Sequence, residues 1–363
     1  MSRQDWDILV VGAGPAGSCA ALAAARAGVR VGVAERQKTI GVPVRCAGYI
    51  PKALLGSLPF RDRSFVVQGV TAMHTILPDG TVRKTRAPGL IIRRDRFDQC
   101  LTRSAREAGA EIHPGMRAIR YQDGQVTVRS SPGGLMKIRP AVIIGADGPL
   151  STVAKWMGLG APRRVPGLQV RAPLVRSMAH TEVYFHPRIY GAYGWVFPRG
   201  DAANVGIALA HKDRPSYSLR TTLKWFTDRL EKDGKIGKPL PKAVFGWIPV
   251  APAARVYGGN MVLAGDAAGH THPITGAGVA HAVLAGDLAG EWAARAVKQN
   301  DLTKLEGYGA AVEEDLGQTL RRGVERRRLL ENEWPRLSEI LPYCWTGFRE
   351  YHQDISGFQR KAR

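Results

Sequence analysis

The chain has 363 residues, enough for two domains or for one large discontinuous fold, and its 44% hydrophobic content excludes a disordered chain. Lys and Arg total 52 against 31 Asp and Glu, a formal net charge of +21. Such an excess speaks to association and not to fold, so a solvated basic surface, an anionic substrate such as a diphosphate, and an anionic membrane surface all stand open. Nucleic acid is set aside because no nucleic-acid-binding motif accompanies the charge.

No apolar leader precedes the first strand, and no run approaches about 20 uninterrupted apolar residues. The small-residue stretch 273–290 comes nearest and is broken by His281 and Asp287. Cys19, Cys46, Cys100 and Cys344 form no CxxC pair. That argues for a reducing cytoplasm and against a disulfide framework, a zinc site or an iron–sulfur site, so no metal is expected.

Residues 7–11 (Asp-Ile-Leu-Val-Val) are a continuous apolar run, as in a buried parallel strand. Gly12-Ala-Gly14-Pro15-Ala16-Gly17 follows, then an alanine-rich helix over 18–26 and a second strand over 29–34 that ends in Glu35. Strand, GxGxxG, helix and an acid about 20 residues on make a dinucleotide-binding βαβ unit. Gly12 allows the tight turn, Gly14 the approach of a pyrophosphate, and Gly17 close helix–strand packing. The helix start offers free N–H groups to phosphate, and Glu35 suits ribose hydroxyls. This unit alone does not separate FAD from NAD. Two further strands run into glycine-flanked aspartates: Gly145-Ala146-Asp147-Gly148, and Gly265-Asp266-Ala-Ala-Gly269 continuing His270-Thr-His272-Pro273-Ile-Thr-Gly276-Ala277-Gly278.

These three blocks resemble the flavoprotein superfamily of aromatic hydroxylases and geranylgeranyl reductases. The resemblance implies FAD as cofactor, with Asp266 on its ribityl chain and 273–278 beside the flavin ring. It implies Asp147 and Gly148 near the junction of the cofactor domain, Arg94 close to the cofactor, and Arg36, Arg45, Cys46 and Ala47 among its contacts. Backbone N–H groups at a helix start would favour the anionic side of a reduced flavin. Tyr193-Gly-Trp195-Val-Phe197-Pro198 resembles the YxWxFP motif of geranylgeranyl reductases, which lines the prenyl pocket. Alternation puts Tyr193, Trp195 and Phe197 on one strand face. Cys46 matches a cysteine that faces the flavin in several archaeal members, a candidate proton source or substrate-positioning group. Here Ala47 and Tyr49 stand where the family continues with glycines. His270 and His272 are candidate proton relays, His272 the preferred one.

Leu316, Leu320 and Val324, and then Trp334, Leu337 and Leu341, recur at helical spacing. Arg321, Arg322, Arg326, Arg327 and Arg328 belong either to a solvated helix with glutamate partners or to a surface that meets phosphate head groups. Residues 342–363 are read as a lid or a tail.

The expected fold is α/β: a Rossmann-like FAD domain with a parallel sheet from 1–60, 85–160 and 250–300, and a mixed or antiparallel-sheet substrate domain from 61–84 and 161–249. A helical region, 301–363, completes it. The expected reaction is saturation of prenyl C=C bonds on a diphosphate or lipid by hydride from flavin N5, in the cytoplasm or peripherally on the inner face of an anionic membrane. The electron donor, NADPH or a reduced carrier protein, is not legible. The rivals are an FAD monooxygenase and a membrane-associated flavoprotein that binds lipid or passes electrons. A flavin halogenase is less favoured: Phe245-Gly-Trp247-Ile-Pro249 matches part of its motif without the first tryptophan.

Overall fold

A computed structural model describes residues 6–131, 133–160, 162–210 and 218–353. The N-terminal unit forms as its pattern requires: β1 (Ile8–Val11), α1 (Pro15–Arg26) and β2 (Val31–Glu35). Next come β3 (Tyr49–Pro51), β4 (Val66–Ile76), β5 (Val82–Ile92), α2 (Arg94–Glu107) and β6 (Glu111–Pro114). An antiparallel three-stranded sheet is built from β7 (Met116–Gln122), β8 (Gln125–Ser130) and β9 (Leu135–Ile138). It is followed by β10 (Val142–Gly145), α3 (Thr152–Trp156), β11 (Arg164–Pro173), β12 (His180–Tyr184), β13 (Gly194–Arg199), β14 (Ala202–Ala208), α4 (Leu219–Lys232) and β15 (Val244–Pro249). Last are β16 (Tyr257–Gly258), β17 (Met261–Leu263), α5 (Val279–Lys298), α6 (Leu305–Val312), α7 (Gln318–Asn332) and α8 (Leu337–Cys344). A π-helical turn, Glu313–Gly317, joins α6 to α7.

One sheet has the order β16-β17-β10-β1-β2-β6, with β17, β10, β1, β2 and β6 parallel. Its central strands are buried on both sides, so they read as apolar runs without alternation. On one side α1 and α5 pack together: a Cβ on Gly286 would stand 2.2 Å from the Ala16 carbonyl oxygen, and one on Gly290 2.2 Å from that of Ala20. Only glycine lets two backbones come so near.

The larger sheet has the order β15-β11-β14-β13-β12-β4-β5-β3 and is antiparallel except at β12–β4. Strand β5 pairs in it along its length, including 85–92, which the sequence reading grouped with the cofactor segments. One face carries Leu168, Ala172, Val196, Val205 and Ile207 against Leu223, Phe226 and Leu230 of α4. The opposite face is the functional one. Here Val183, Phe185 and Ile274 join Leu329, Leu330, Trp334, Leu337, Leu341 and Trp345 in one cluster, so the C-terminal helices lie on this sheet. Residues 342–353 are therefore part of the core and not a frayed tail: Cys344, Trp345 and Tyr351 are all buried.

Candidate active site

Strand β1 ends in Gly12, at φ +101, where a Cβ would lie 2.5 Å from the Ala146 carbonyl oxygen. A Cβ on Gly17 would lie 1.9 Å from the Gly12 carbonyl oxygen. These two glycines serve close packing. Gly14 differs: nothing lies within 4 Å of where its Cβ would be, so the loop is open at the start of α1. That start has Pro15 in its first turn and no side-chain cap, which leaves backbone N–H groups for an anion. Ala16 backs the turn from within, touching Gly265 of the third block. Glu35 accepts from Ala13 N at 2.8 Å and from Gln37 N at 2.7 Å, so its carboxylate stands at the loop's edge with lone pairs to spare. An open glycine cradle, a free helix start and an adjacent carboxylate fit the adenosine diphosphate half of FAD. Arg36, just beyond, is exposed.

The second group converges from distant parts of the chain. Arg94 donates Nε and Nη2 to the two oxygens of Asp98, at 3.0 and 3.1 Å. Burial opposes the charge on Arg94, but Asp98 and the neighbouring Cys46 more than offset it, and its pKa is raised. Burial raises the pKa of Asp266, with the Thr271 hydroxyl and the Arg94 charge opposing it in part, so Cys46, Arg94 and Asp266 share one neighbourhood. Asp266 accepts from Thr271 Oγ1 at 2.6 Å through Oδ1 alone, which leaves its other oxygen for a hydroxyl. That is the disposition a ribityl chain requires.

Asp147 has a different job. Its carboxylate accepts from Ser151 Oγ at 2.5 Å and from Thr152 N at 2.6 Å, holding its own loop at the start of α3. Gly148, at φ +84, makes the turn between them. Asp147 shapes the cofactor domain from behind.

The loop 270–278 is organised by His272. Its Nδ1 accepts from Ile274 N and Thr275 N, both at 3.2 Å, and its Nε2 faces the Tyr351 hydroxyl at 3.1 Å. Its backbone N donates to Ala277 O at 2.9 Å, and its carbonyl accepts from Gly276 N at 3.0 Å. A ring whose Nδ1 accepts twice is the neutral Nε2–H tautomer, and burial pushes its pKa down to about 4. His270 is deeper still, with both ring nitrogens unpartnered among the described residues and a pKa pushed by burial to about 3.

The acid sensitivity of the fold follows. Above an ordinary histidine pKa of 6.5 neither state is charged and the stability is intact. As pH falls from 6.5 towards 4 the unfolded chain takes up two protons that the folded one refuses. Each histidine then costs about 1.4 kcal/mol per pH unit. Thermal melts of the FAD-loaded protein should show this decline, and His272→Asn should flatten it by the share of one of the buried histidines, with the other depressed histidines, His281 among them, keeping the rest.

Residues 45–49 form a strap across the functional face of the large sheet. Gln169 Nε2 donates to Cys46 O at 3.3 Å, and Asn204 Nδ2 to Ala47 O at 2.8 Å. Arg45 passes over Gly246, and the Tyr49 ring meets Phe197 edge-on at 6.3 Å. Tyr193, Trp195 and Phe197 lie on this face in a row, as alternation predicts, in a cluster with Ala47 and Ile248. The Tyr193 hydroxyl hydrogen-bonds the Thr275 carbonyl, and the Cys46 sulfur is near enough to raise the Tyr193 pKa together with burial. The row therefore links the strap to the flavin-side loop. Pro198 is a correction. It pairs with Ala203, which packs towards α4, so the pleat puts it on the opposite face from Phe197.

Of the five arginines of α7, Arg326 and Arg327 are buried, so neither a solvated helix nor a head-group surface accounts for all five. Arg327 donates to Pro273 O at 3.0 Å and Gly191 O at 2.9 Å, beside Glu331. Sequence reading missed its role, and those of Tyr351 and Thr271. The signal available, an arginine on the apolar side of its helix, was hidden in a run of arginines. A cluster of His74, His180 and Glu182 has ligand atoms within 4.8 Å of one another, away from this site. Lys235 Nζ stands 2.8 Å from both Glu182 oxygens, so the carboxylate is already neutralised as an ion pair.

Residues 7–45 match the family model described as FAD dependent oxidoreductase. Digeranylgeranylglycerophospholipid reductase 1 of Methanopyrus kandleri is 33% identical over 94% of this chain and all of its own. The reductase of that name from Methanocaldococcus jannaschii is 31% identical over 93% of this chain and 90% of its own. The chain belongs to the digeranylgeranylglycerophospholipid reductase family. As a member of it, the protein is an FAD-dependent oxidoreductase. Its fold matches a geranylgeranyl bacteriochlorophyll reductase-like protein of Thermoplasma acidophilum, with TM-score 0.84 and 25% identity over 99% of this chain and all of that one. A flavin-dependent brominase shares the fold alone, at TM-score 0.73 and 18% identity. Within the three blocks, Gly14 leaves the loop open and Asp266 keeps one carboxylate oxygen unengaged. Among the described residues no helix is long and apolar enough to cross a membrane.

Proposed function

We propose that this protein saturates C=C bonds in geranylgeranyl chains of a phosphate-bearing prenyl lipid. The observation that carries the reading is the row Tyr193, Trp195 and Phe197, which faces the Cys46 strap and is tied to the loop beside the flavin. An apolar chain needs such a wall, and an isolated alkene must be held close to its hydride source to react at all. Bound FAD supplies the hydride. Gly14, Glu35 and Asp266 hold it, with 273–278 along one side.

The remaining task is a proton for the second carbon. Of the two candidates, Cys46 suits the role better than His272. The Cys46 sulfur lies beside the buried Arg94 guanidinium, on the strap that faces the aromatic row. His272 is a neutral ring committed to the loop backbone, and its single N–H meets Tyr351. Its part is to position the loop. NADPH or a reduced carrier supplies the electrons, and a lipid substrate brings the protein to a membrane face, where the net charge of +21 favours an anionic surface.

The test is mass spectrometry of a geranylgeranylated glycerophospholipid incubated without oxygen with dithionite-reduced enzyme. Gain of hydrogen in pairs is expected, and Cys46→Ser should lower its rate about 10²–10⁴-fold with FAD retained. No gain from enzyme with reducible FAD would defeat the reading. Product that appears only with oxygen and carries an added oxygen atom would put a hydroxylase in its place.

A further inference from the structure

The residues leading into the strap border a second feature of the functional face. Val42 and Val44, just ahead of Cys46, line a groove of about 420 Å³ with Arg93, Asp95, Arg171 and Arg199. Arg171 and Arg199 reach it from the functional face of the large sheet, since Arg171 pairs with Asn204 and Arg199 follows Phe197 by two residues. Arg93 reaches it from the start of α2.

Three cations meet one anion here. Asp95 is engaged by Arg93 at 2.8 Å. Arg199 spends one nitrogen on the Ile92 carbonyl at 3.1 Å, and the Arg171 side chain has no hydrogen-bond or acidic partner among the described residues. Burial lowers the pKa of Arg199, the Arg171 charge lowers it further, and Asp95 opposes the shift in part. Three cations against one carboxylate leave an excess of positive charge in the groove, and an anion relieves it. Guanidinium groups are the side chains best shaped to take two oxygens of a phosphate. The 14-residue α2 adds its positive end.

We propose that this groove binds the phosphate group of an organic phosphate, with Arg171 and Arg199 as its principal ligands. The site lies on the same sheet face as the aromatic row, Arg199 standing two residues beyond Phe197 and Val44 two residues ahead of Cys46. Two sources carry this chemistry: the head group of the lipid whose chain lies along the row, and the phosphates of a nicotinamide dinucleotide electron donor. The lipid alternative rests on the proposed reductase function; the anion site does not.

Binding of inorganic pyrophosphate to FAD-loaded enzyme, followed by phosphorus NMR line broadening, tests the site directly. Saturable binding is expected, weakened about tenfold or more in Arg171→Gln, because a hydrogen bond to a charged group contributes about 1.5–3 kcal/mol. Arg171 is exposed and unpartnered, so this variant should fold; Arg171→Gln/Arg199→Gln should abolish binding. Equal pyrophosphate binding by wild type and Arg171→Gln would overturn the proposal. The source is read from two KM values. Arg171→Gln should raise KM either for NADPH in anaerobic flavin reduction without lipid, or for the phospholipid in the dithionite assay with no change for its neutral diglyceride counterpart. If neither KM moves, or the neutral lipid is affected equally, the groove is not a ligand site. Should no lipid be reduced at all, the reductase reading fails, while the pyrophosphate and NADPH measurements still decide the site.

Discussion

Arg327→Met should cost about 3–5 kcal/mol of stability and release FAD from the purified protein. The Arg327 side chain is 4% exposed and that of Glu331 9%, in close charge contact at 2.9 Å. Burial lowers the pKa of Arg327 to about 10, so it remains charged at neutral pH. Removing the guanidinium leaves a buried carboxylate served only by the half-exposed Arg163, at 2.5 Å. It also strips the donors from Pro273 O and Gly191 O. The first anchors the flavin-side loop, the second the turn before Tyr193, so both walls of the site loosen together. Flavin absorbance per protein and a denaturant melt read the two losses. Arg327→Met/Glu331→Leu should regain much of the stability, because the unpaired charge is gone, and little of the flavin, because the carbonyls stay unserved. Full flavin retention by the single variant would show that α7 does not support the loop.

Arg94→Met should be nearly as damaging, by a different route. Asp98 is 5% exposed, and without its bidentate partner it must protonate or destabilise the fold by about 3–5 kcal/mol. Positive charge also disappears from beside Asp266 and Cys46. FAD should dissociate on dilution, and whatever activity remains should fall with it. Arg94→Lys keeps the charge but cannot fork onto both oxygens, so it should hold FAD more weakly than wild type yet retain most of the stability. If Lys and Met variants lose flavin equally, geometry and not charge is what Arg94 contributes.

What could be read beforehand divides along a physical line. The cofactor half was legible because its chemistry is local: Gly12, Gly14, Gly17 and Glu35 lie within one βαβ unit whose spacing is set by backbone geometry. The single-face row of Tyr193, Trp195 and Phe197 followed from alternation alone. Alternation also separates Pro198 from the others, and there the motif, applied as a block, overrode the pleat. The C-terminal contributions were not legible. Tyr351 meets His272 across 79 positions, and Arg327 meets Pro273 across 54 and Gly191 across 136. No local pattern announces such contacts. On the basic helix the arginines were expected at a solvated or head-group-facing surface, whereas Arg326 and Arg327 turn inward and Arg328 outward.

The glycine contacts between α1 and α5 have a mechanical meaning. In the proposed site the start of α1 would take the phosphates of FAD, and the start of α5 follows the loop that would lie beside the flavin. With Gly286 and Gly290 seated on Ala16 and Ala20, the first turns of α1 are clamped to the middle of α5. They cannot spread without prising apart two backbones in contact. That side of the fold is held by backbone contact, so any opening has to come from the opposite wall, where the strap and the C-terminal helices meet the large sheet through side chains.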